Sequence, residues 1–135
     1  MATKVLDSWA LIAFFEDEPA ADEVEKLLVK GEAGTHKLLL SVVNWGEIYY
    51  NTMRKVSQES AEQKAREIAG LTIELVPVET DLHLVRQAAI YKATKKLSYA
   101  DAFAAALAKL RNAELVTGDN DFKAVEDEIK IGWLK

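Results

Sequence analysis

The chain has 135 residues, half of them hydrophobic, with 22 Asp and Glu against 17 Lys and Arg and a formal net charge of −5. This is the balance of one globular domain with a sizeable core, not of a basic nucleic-acid-binding module. It contains no cysteine and only two histidines, His36 and His83, which excludes disulfides and thiolate sites and makes a His-based zinc site or a Ser-His-Asp triad hard to build. No signal peptide or membrane-length apolar run is visible, so the cytosol is the default location.

Taken in order, Lys4-Val5-Leu6-Asp7 is a short apolar run, read as a buried strand ending at Asp7. Ser8 to Glu16 reads as a helix with Leu11, Ile12 and Phe15 on one face, broken at Glu18-Pro19. A second helix covers Asp22 to Lys30, with Val24, Leu27 and Leu28 inward, and Gly31 and Gly34 are expected to close it. His36 then falls in a loop. Leu38 to Ser41 is a second buried strand, and Ser41 caps a long helix running to about Lys55. In that helix Trp45, Ile48, Tyr49, Thr52, Met53 and Val56 form the expected core stripe. Glu47 lies off it, on a flank with Tyr50, Asn51 and Arg54.

Ser57 to Ala69 is another helix, capped by Ser57 or Ser60, and Ile73 to Val76 is a third strand stopped by Pro77. Thr80 to Thr94 is a helix with Leu82, Val85, Ala89 and Ala93 inward and His83 on its surface. Leu97 to Leu110 is rich in Ala and Leu, strong helix formers, and is apolar nearly all round, as in a helix buried on most faces. Ser98 is its N-cap. Glu114 to Thr117 is a fourth strand, Gly118 to Asp121 a turn, and Ile129 to Ile131 a weak last strand. Strands alternating with helices predict an α/β fold, a three-layer sandwich with a central parallel sheet of about five strands and helices on both faces. No repeat or linker divides the chain, so residues 1–135 read as one domain.

Five carboxylates stand out. In an open α/β sheet ligands bind beyond the carboxyl ends of the strands. Asp7 ends the first strand, Glu47 lies in the early turns of the helix leaving the second, and Asp119 and Asp121 follow the fourth. Asp101 opens the Ala-rich helix. Its placement is less forced, because a helix leading into a strand is expected to start at the other edge. Each acid also has a plain structural role open to it. Asp7 can cap a helix, Glu47 can be a solvated residue beside Arg54, Ser98-x-x-Asp101 has capping-box spacing, and Asp119 and Asp121 suit a turn.

Pressed together, such carboxylates repel one another and raise their pKa values. A hard divalent cation relieves this, and oxygen-only ligation suits Mg²⁺ or Mn²⁺. Setting the five aside leaves 17 acids, equal to the 17 Lys and Arg, so the acidic balance does not exclude a nucleic-acid substrate.

Four motifs in order carry a family resemblance: Val5-Leu6-Asp7-Ser8-Trp9-Ala10-Leu11-Ile12, Asn44-Trp45-Gly46-Glu47, Ser98-Tyr99-Ala100-Asp101-Ala102 and Val116-Thr117-Gly118-Asp119-Asn120-Asp121-Phe122. Over essentially its whole length the chain resembles the PIN-domain ribonucleases, particularly the VapC-type toxins of toxin–antitoxin pairs. The resemblance implies a Rossmann-like sheet and a Mg²⁺-dependent endoribonuclease. By motif position Asp7, Glu47, Asp101 and Asp119 match the family's acidic quartet, and Asp121 its less regular extra acid. It also implies that Asp101 reaches the pocket. Trp9 departs from the pattern, since the family more often has a small hydroxyl or amide residue there, and Trp9 is expected to be core.

On this reading Asp7 and Asp101 are the main metal ligands, with Asp119 and Asp121 completing the shell. Glu47 ligates the metal or orients the attacking water. Arg54 and Lys55 are candidates for holding RNA phosphates, with Lys92, Lys95 and Lys96 as another candidate rim, although an ordinary solvated surface is the favoured reading of these three lysines. The resemblance further implies a small antitoxin with a DNA-binding part and a helical tail. It points to a homodimer, for which Tyr91 and Leu84 are expected to supply exposed apolar surface. An aspartyl-phosphate phosphatase is disfavoured because Trp9 stands where a second Asp is needed. A receiver domain is disfavoured because the third strand ends Leu75-Val76-Pro77. A non-catalytic module whose acids merely cap helices is the remaining alternative.

Overall fold

A computed structural model describes residues 1–135. In chain order it contains β1 (Ala2–Leu6), α1 (Ser8–Phe15), α2 (Ala21–Glu32), β2 (His36–Ser41), α3 (Val42–Lys55), α4 (Gln58–Ala69), β3 (Glu74–Val76), α5 (His83–Lys95), α6 (Tyr99–Leu110), β4 (Glu114–Thr117), a 3₁₀ turn (Asn120–Val125) and β5 (Ile131–Trp133). The five strands form one sheet in the order β3-β2-β1-β4-β5, every pair parallel.

The strands are apolar on both faces because both are covered. Val5, Leu39 and Leu115 pack with α5 and α6 in one core. Their neighbours Leu6, Leu38, Leu40 and Val116 pack with residues of α1, α2, α3 and α4 in the other. Alternate side chains along each strand thus feed opposite layers. Helix α6 is the centre of the first core, with every residue from Asp101 to Ala108 buried. Its five buried alanines, Ala102, Ala104, Ala105, Ala106 and Ala108, let α5 and the sheet approach closely. No helix is long and apolar enough to cross a membrane.

Several details depart from the sequence reading. His36 begins β2, where it pairs with Ala2, and is not in a loop. Gly31 lies inside α2 rather than closing it. A Cβ there would stand 2.8 Å from Leu38 Cδ1 and 3.3 Å from the Thr72 carbonyl oxygen, so the close approach of α2 to the sheet needs the missing side chain. The last strand begins at Ile131, two residues later than expected.

In α5 two stripes have helical spacing, and the structure buries the other one. Leu84, Ala88 and Tyr91 are buried, whereas Leu82, Ala89 and Ala93 are exposed. The ring of Tyr91 decides this, since it is the largest apolar group the helix can bury. Tyr91 and Leu84 are therefore core residues and offer no surface to a second copy.

In α3 the buried residues are Asn44 and Ile48, while Met53 and Val56 are exposed. The inward face is rotated towards Asn44 because α6 packs there. Finally, α6 runs against the strand direction, so it starts at the carboxyl edge of the sheet and delivers the chain to the amino end of β4. Helix α5 carries the chain back across the sheet first. That removes the expected difficulty with Asp101.

Candidate metal centre

The sheet order places β1 between β2 and β4, and the connections leaving β1 and β4 go to opposite faces of the sheet. A crevice opens where the chain leaves β1 and β4 at their carboxyl ends. Asp7 follows β1 directly and is 1% exposed. It caps α1, its Oδ1 accepting from the Ala10 N–H at 2.9 Å. Its Oδ2 accepts from the Thr117 hydroxyl at 2.6 Å. The same hydroxyl oxygen accepts from the Asp119 N–H at 3.0 Å, so one buried threonine ties Asp7 to the loop that carries Asp119. That loop is tightened again where Asp119 Oδ1 accepts from the Asp121 N–H at 2.9 Å.

Carboxylate oxygens of Asp101, Asp119 and Asp121 lie within 4.8 Å of one another. Asp101 is held in the first turn of α6, its N–H donating to Ser98 Oγ at 3.2 Å. This is the serine half of a capping box. The reciprocal half is not made, which leaves the Asp101 carboxylate to the crevice. Glu47, in the second turn of α3, accepts a hydrogen bond from the Ser8 hydroxyl.

The electrostatics follow from this crowding. Burial pushes the Asp101 carboxyl up to about 7, and the charges of Asp119, Glu47 and Asp121 push it the same way, against some relief from Ser98. Burial likewise pushes Asp7 up to about 7. Its hydrogen bonds from Thr117 and Ala10 work against this, while Asp101 and Asp119 add to it. Both groups are thus unstable as anions until positive charge arrives. The donors are all oxygens, with no His or Cys in the cluster, and such a set fits Mg²⁺ or Mn²⁺ rather than a softer ion. Asp101, Asp119 and Asp121 present the converging oxygens. Asp7 lies beneath them with both oxygens already accepting hydrogen bonds.

The other expected site residues are more scattered. Arg54 and Lys55 are exposed near the end of α3, roughly 10–12 Å along the axis from Glu47 at 1.5 Å per residue. The Arg54 guanidinium lies over the Tyr50 ring, 4.8 Å from its centroid. Lys95 is engaged with Glu128 at 3.0 Å, whereas Lys92 and Lys96 are exposed without an ion-pair partner. Thr117, Ser8 and Asn44 were missed by sequence reasoning. Their one visible signal was a polar residue one to three positions from an acid in a buried segment.

Trp9 is half-buried and packs over Gly118. A Cβ at Gly118 would fall within the Trp9 ring, so glycine is required between β4 and Asp119. Gly118→Ala is expected to destabilise the fold by about 1–3 kcal/mol through overpacking. A thermal melt reads this directly; an unchanged melting temperature would show that the ring moves aside freely. The clefts between α2 and β5 and between α1 and α4 contain none of the five acids.

Together the fold and site define a class: a doubly wound parallel sheet whose switch point carries an all-carboxylate pocket. The PIN domain model matches residues 4–128, and the chain belongs to the PIN domain family.

No curated protein matches it in sequence. Solved structures do match in fold. VapBC-1 from nontypeable Haemophilus influenzae gives a TM-score of 0.72 at 16% identity, over 97% of both chains. VapBC2 from Rickettsia felis, bound to a fragment of promoter DNA, gives 0.71 at 17%, over 98% of this chain and 99% of that one. VapC20 from Mycobacterium tuberculosis, a toxin that cleaves the sarcin-ricin loop, gives 0.69 at 17%, over 90% and 94%.

Proposed function

We propose that this protein is a metal-dependent endoribonuclease acting as the toxin of a toxin–antitoxin pair. The observation that carries the reading is the convergence of Asp101, Asp119 and Asp121 above the buried Asp7 at the switch point of the sheet. Membership of the PIN family and the likeness to VapC structures, one of them a toxin that cleaves the sarcin-ricin loop, support it.

Asp101, Asp119 and Asp121, with Asp7 below, would hold Mg²⁺ or Mn²⁺. Bound there, the cation supplies charge neutralisation for a phosphodiester and lowers the pKa of a coordinated water. Asp7 cannot swing away, because Ala10 and Thr117 hold both of its oxygens. Glu47, whose carboxylate accepts a hydrogen bond from Ser8, would take a proton from the attacking water. Arg54 and Lys55 suit phosphates one or two nucleotides away from the scissile bond.

The partner is a cognate antitoxin, as in the toxin–antitoxin complexes of similar fold. The cleft lined by Phe14, Phe15 and Leu71 suits an apolar helix; of its edge charges, Lys64 is paired with Glu67 and Arg66 is the one basic group without an acidic partner. Exposed Val42, Tyr50 and Met53 on α3 and Tyr99 on α6 supply apolar surface for a homodimer. Light scattering at high micromolar concentration is expected to give twice the chain mass, and a monomer mass would count against it.

The central test is RNA cleavage with Mg²⁺, with Mn²⁺, with Ca²⁺ and with EDTA, for the wild type and for Asp7→Asn. Cleavage is expected with Mg²⁺ or Mn²⁺ only, and not for the variant. Ca²⁺ has longer and more variable ligand geometry and positions a nucleophile poorly. Equal rates in Ca²⁺ would sink the metal-assisted mechanism. No cleavage and no Mg²⁺-induced rise in melting temperature would favour a non-catalytic module.

A further inference from the structure

Asn44 is completely buried in the first turn of α3. Its Nδ2 donates to the carbonyl oxygen of Ala100 at 3.1 Å, across to the first turn of α6. The amide orientation is fixed by that contact, since the opposite one would set two acceptors against each other. The remaining atom, Oδ1, is buried and has no hydrogen-bond partner.

A buried amide with one end unmatched costs stability. Leucine has nearly the same shape and no such cost. The Ala100 carbonyl would not be orphaned by its arrival, because the helix supplies a donor four residues on. The asparagine is therefore a poor choice for stability alone. What it does provide is a directional tie between two helices. Ala100 directly precedes Asp101, and Glu47 lies one turn beyond Asn44 on α3. Ser8 ties Glu47 to α1, and Thr117 ties Asp7 to the Asp119 loop. Without Asn44, no side-chain hydrogen bond would link α3 to α6.

We infer that Asn44 is a positioning residue of the carboxylate pocket, fixing the head of α6, and hence Asp101, against α3 and Glu47. The inference rests on the metal-dependent reading of the pocket for its functional consequence. It does not rest on that reading for the tie itself.

The test uses Asn44→Leu, with Asn44→Ala as a smaller replacement should leucine not be accommodated. In metal-free protein, amide exchange at Asp101 and Ala102 is expected to rise about tenfold, while Asn44→Leu melts at or above the wild-type temperature. The Mg²⁺ concentration giving half of the thermal shift is expected to rise about 10–100-fold, the range for residues that orient metal ligands. The kcat for RNA should fall by a similar factor, with KM nearly unchanged. A residue that only fills the core would lower the melting temperature without moving the Mg²⁺ midpoint or the exchange at Asp101, and that result would overturn the inference. If wild type neither responds to Mg²⁺ nor cuts RNA, the nuclease reading falls. The exchange measurement then decides the tie alone: faster exchange upholds it, and unchanged exchange overturns it.

Discussion

Asp101→Asn is expected to leave the metal-free protein melting at or above the wild-type temperature, while removing most of the stabilisation given by Mg²⁺. If Asp101 served only as a cap, its loss would cost about 0.3–1 kcal/mol from the capping box and the helix dipole. The structure argues for the opposite sign. The cap is made by Ser98 Oγ to the backbone N–H of residue 101, which asparagine retains. The side chain removed is one that burial and three neighbouring acids already disfavour as an anion.

At pH 8 in EDTA a rise of about 3–8 °C is expected, taking roughly 3–5 °C per kcal/mol for a domain of this size. Added Mg²⁺ would stabilise only in proportion to its affinity for the folded state, so the shift expected for wild type should largely vanish in the variant. RNA cleavage should fall by about 10²–10³-fold or more, the usual effect of losing one element of transition-state charge stabilisation. A variant that melts lower in EDTA and keeps the full Mg²⁺ shift would return Asp101 to the role of a cap.

The second large effect is on pH. Without metal the protein is expected to be more stable at pH 5.5 than at pH 8.5, the reverse of what salt-bridged carboxylates produce. Asp7 and Asp101 move from 3.8 to about 7 on folding. Between those values the folded state holds more protons than the unfolded one, so stability falls as pH rises. Their contribution is complete below about pH 4 and is lost as pH passes through about 7. The two groups interact, so they titrate as a pair and their effects do not simply add.

A fall on the order of 5–10 °C between the two pH values is expected in EDTA. A Mg²⁺ ion in the proposed site would bind the deprotonated carboxylates, so its stabilising shift should grow over the same range. In Asp7→Asn the EDTA profile should flatten. A wild-type melting temperature in EDTA that stays level or climbs from pH 5.5 to 8.5 would show that the pocket does not hold its acids in this way.

What the sequence disclosed, and what it hid, divides along physical lines. The strand β4 and the helix α6 were legible because short apolar runs and alanine-rich segments between turn residues have few alternatives. Asp7 was legible because it ends a buried strand. The face of α5 was not, because two stripes shared the helical period and only the neighbour that buries Tyr91 selects between them. The inward rotation of α3 was hidden for a related reason. Its deepest residue besides Ile48 is Asn44, and a polar residue gives no apolar signal. Thr117 was hidden because a strand-end threonine is ordinary until its hydroxyl is seen between Asp7 and Asp119. The acids could be found by type, but the neutral groups that aim them could be found only by contact.

The alanine surface of α6 bears on how chains of this kind diverge. At Ala104, Ala105 and Ala106, all fully buried, a larger side chain would overpack the core and press the helix away from its neighbours. Asp101 is the head of that helix and would move with it. Selection for a working pocket and selection for a close-packed centre therefore act on the same few methyl groups. A lineage that keeps the carboxylate is bound to keep these positions small. One that has abandoned the chemistry is free to enlarge them, and an enlarged residue there should accompany a missing aspartate in descendants that survive as inactive binding proteins.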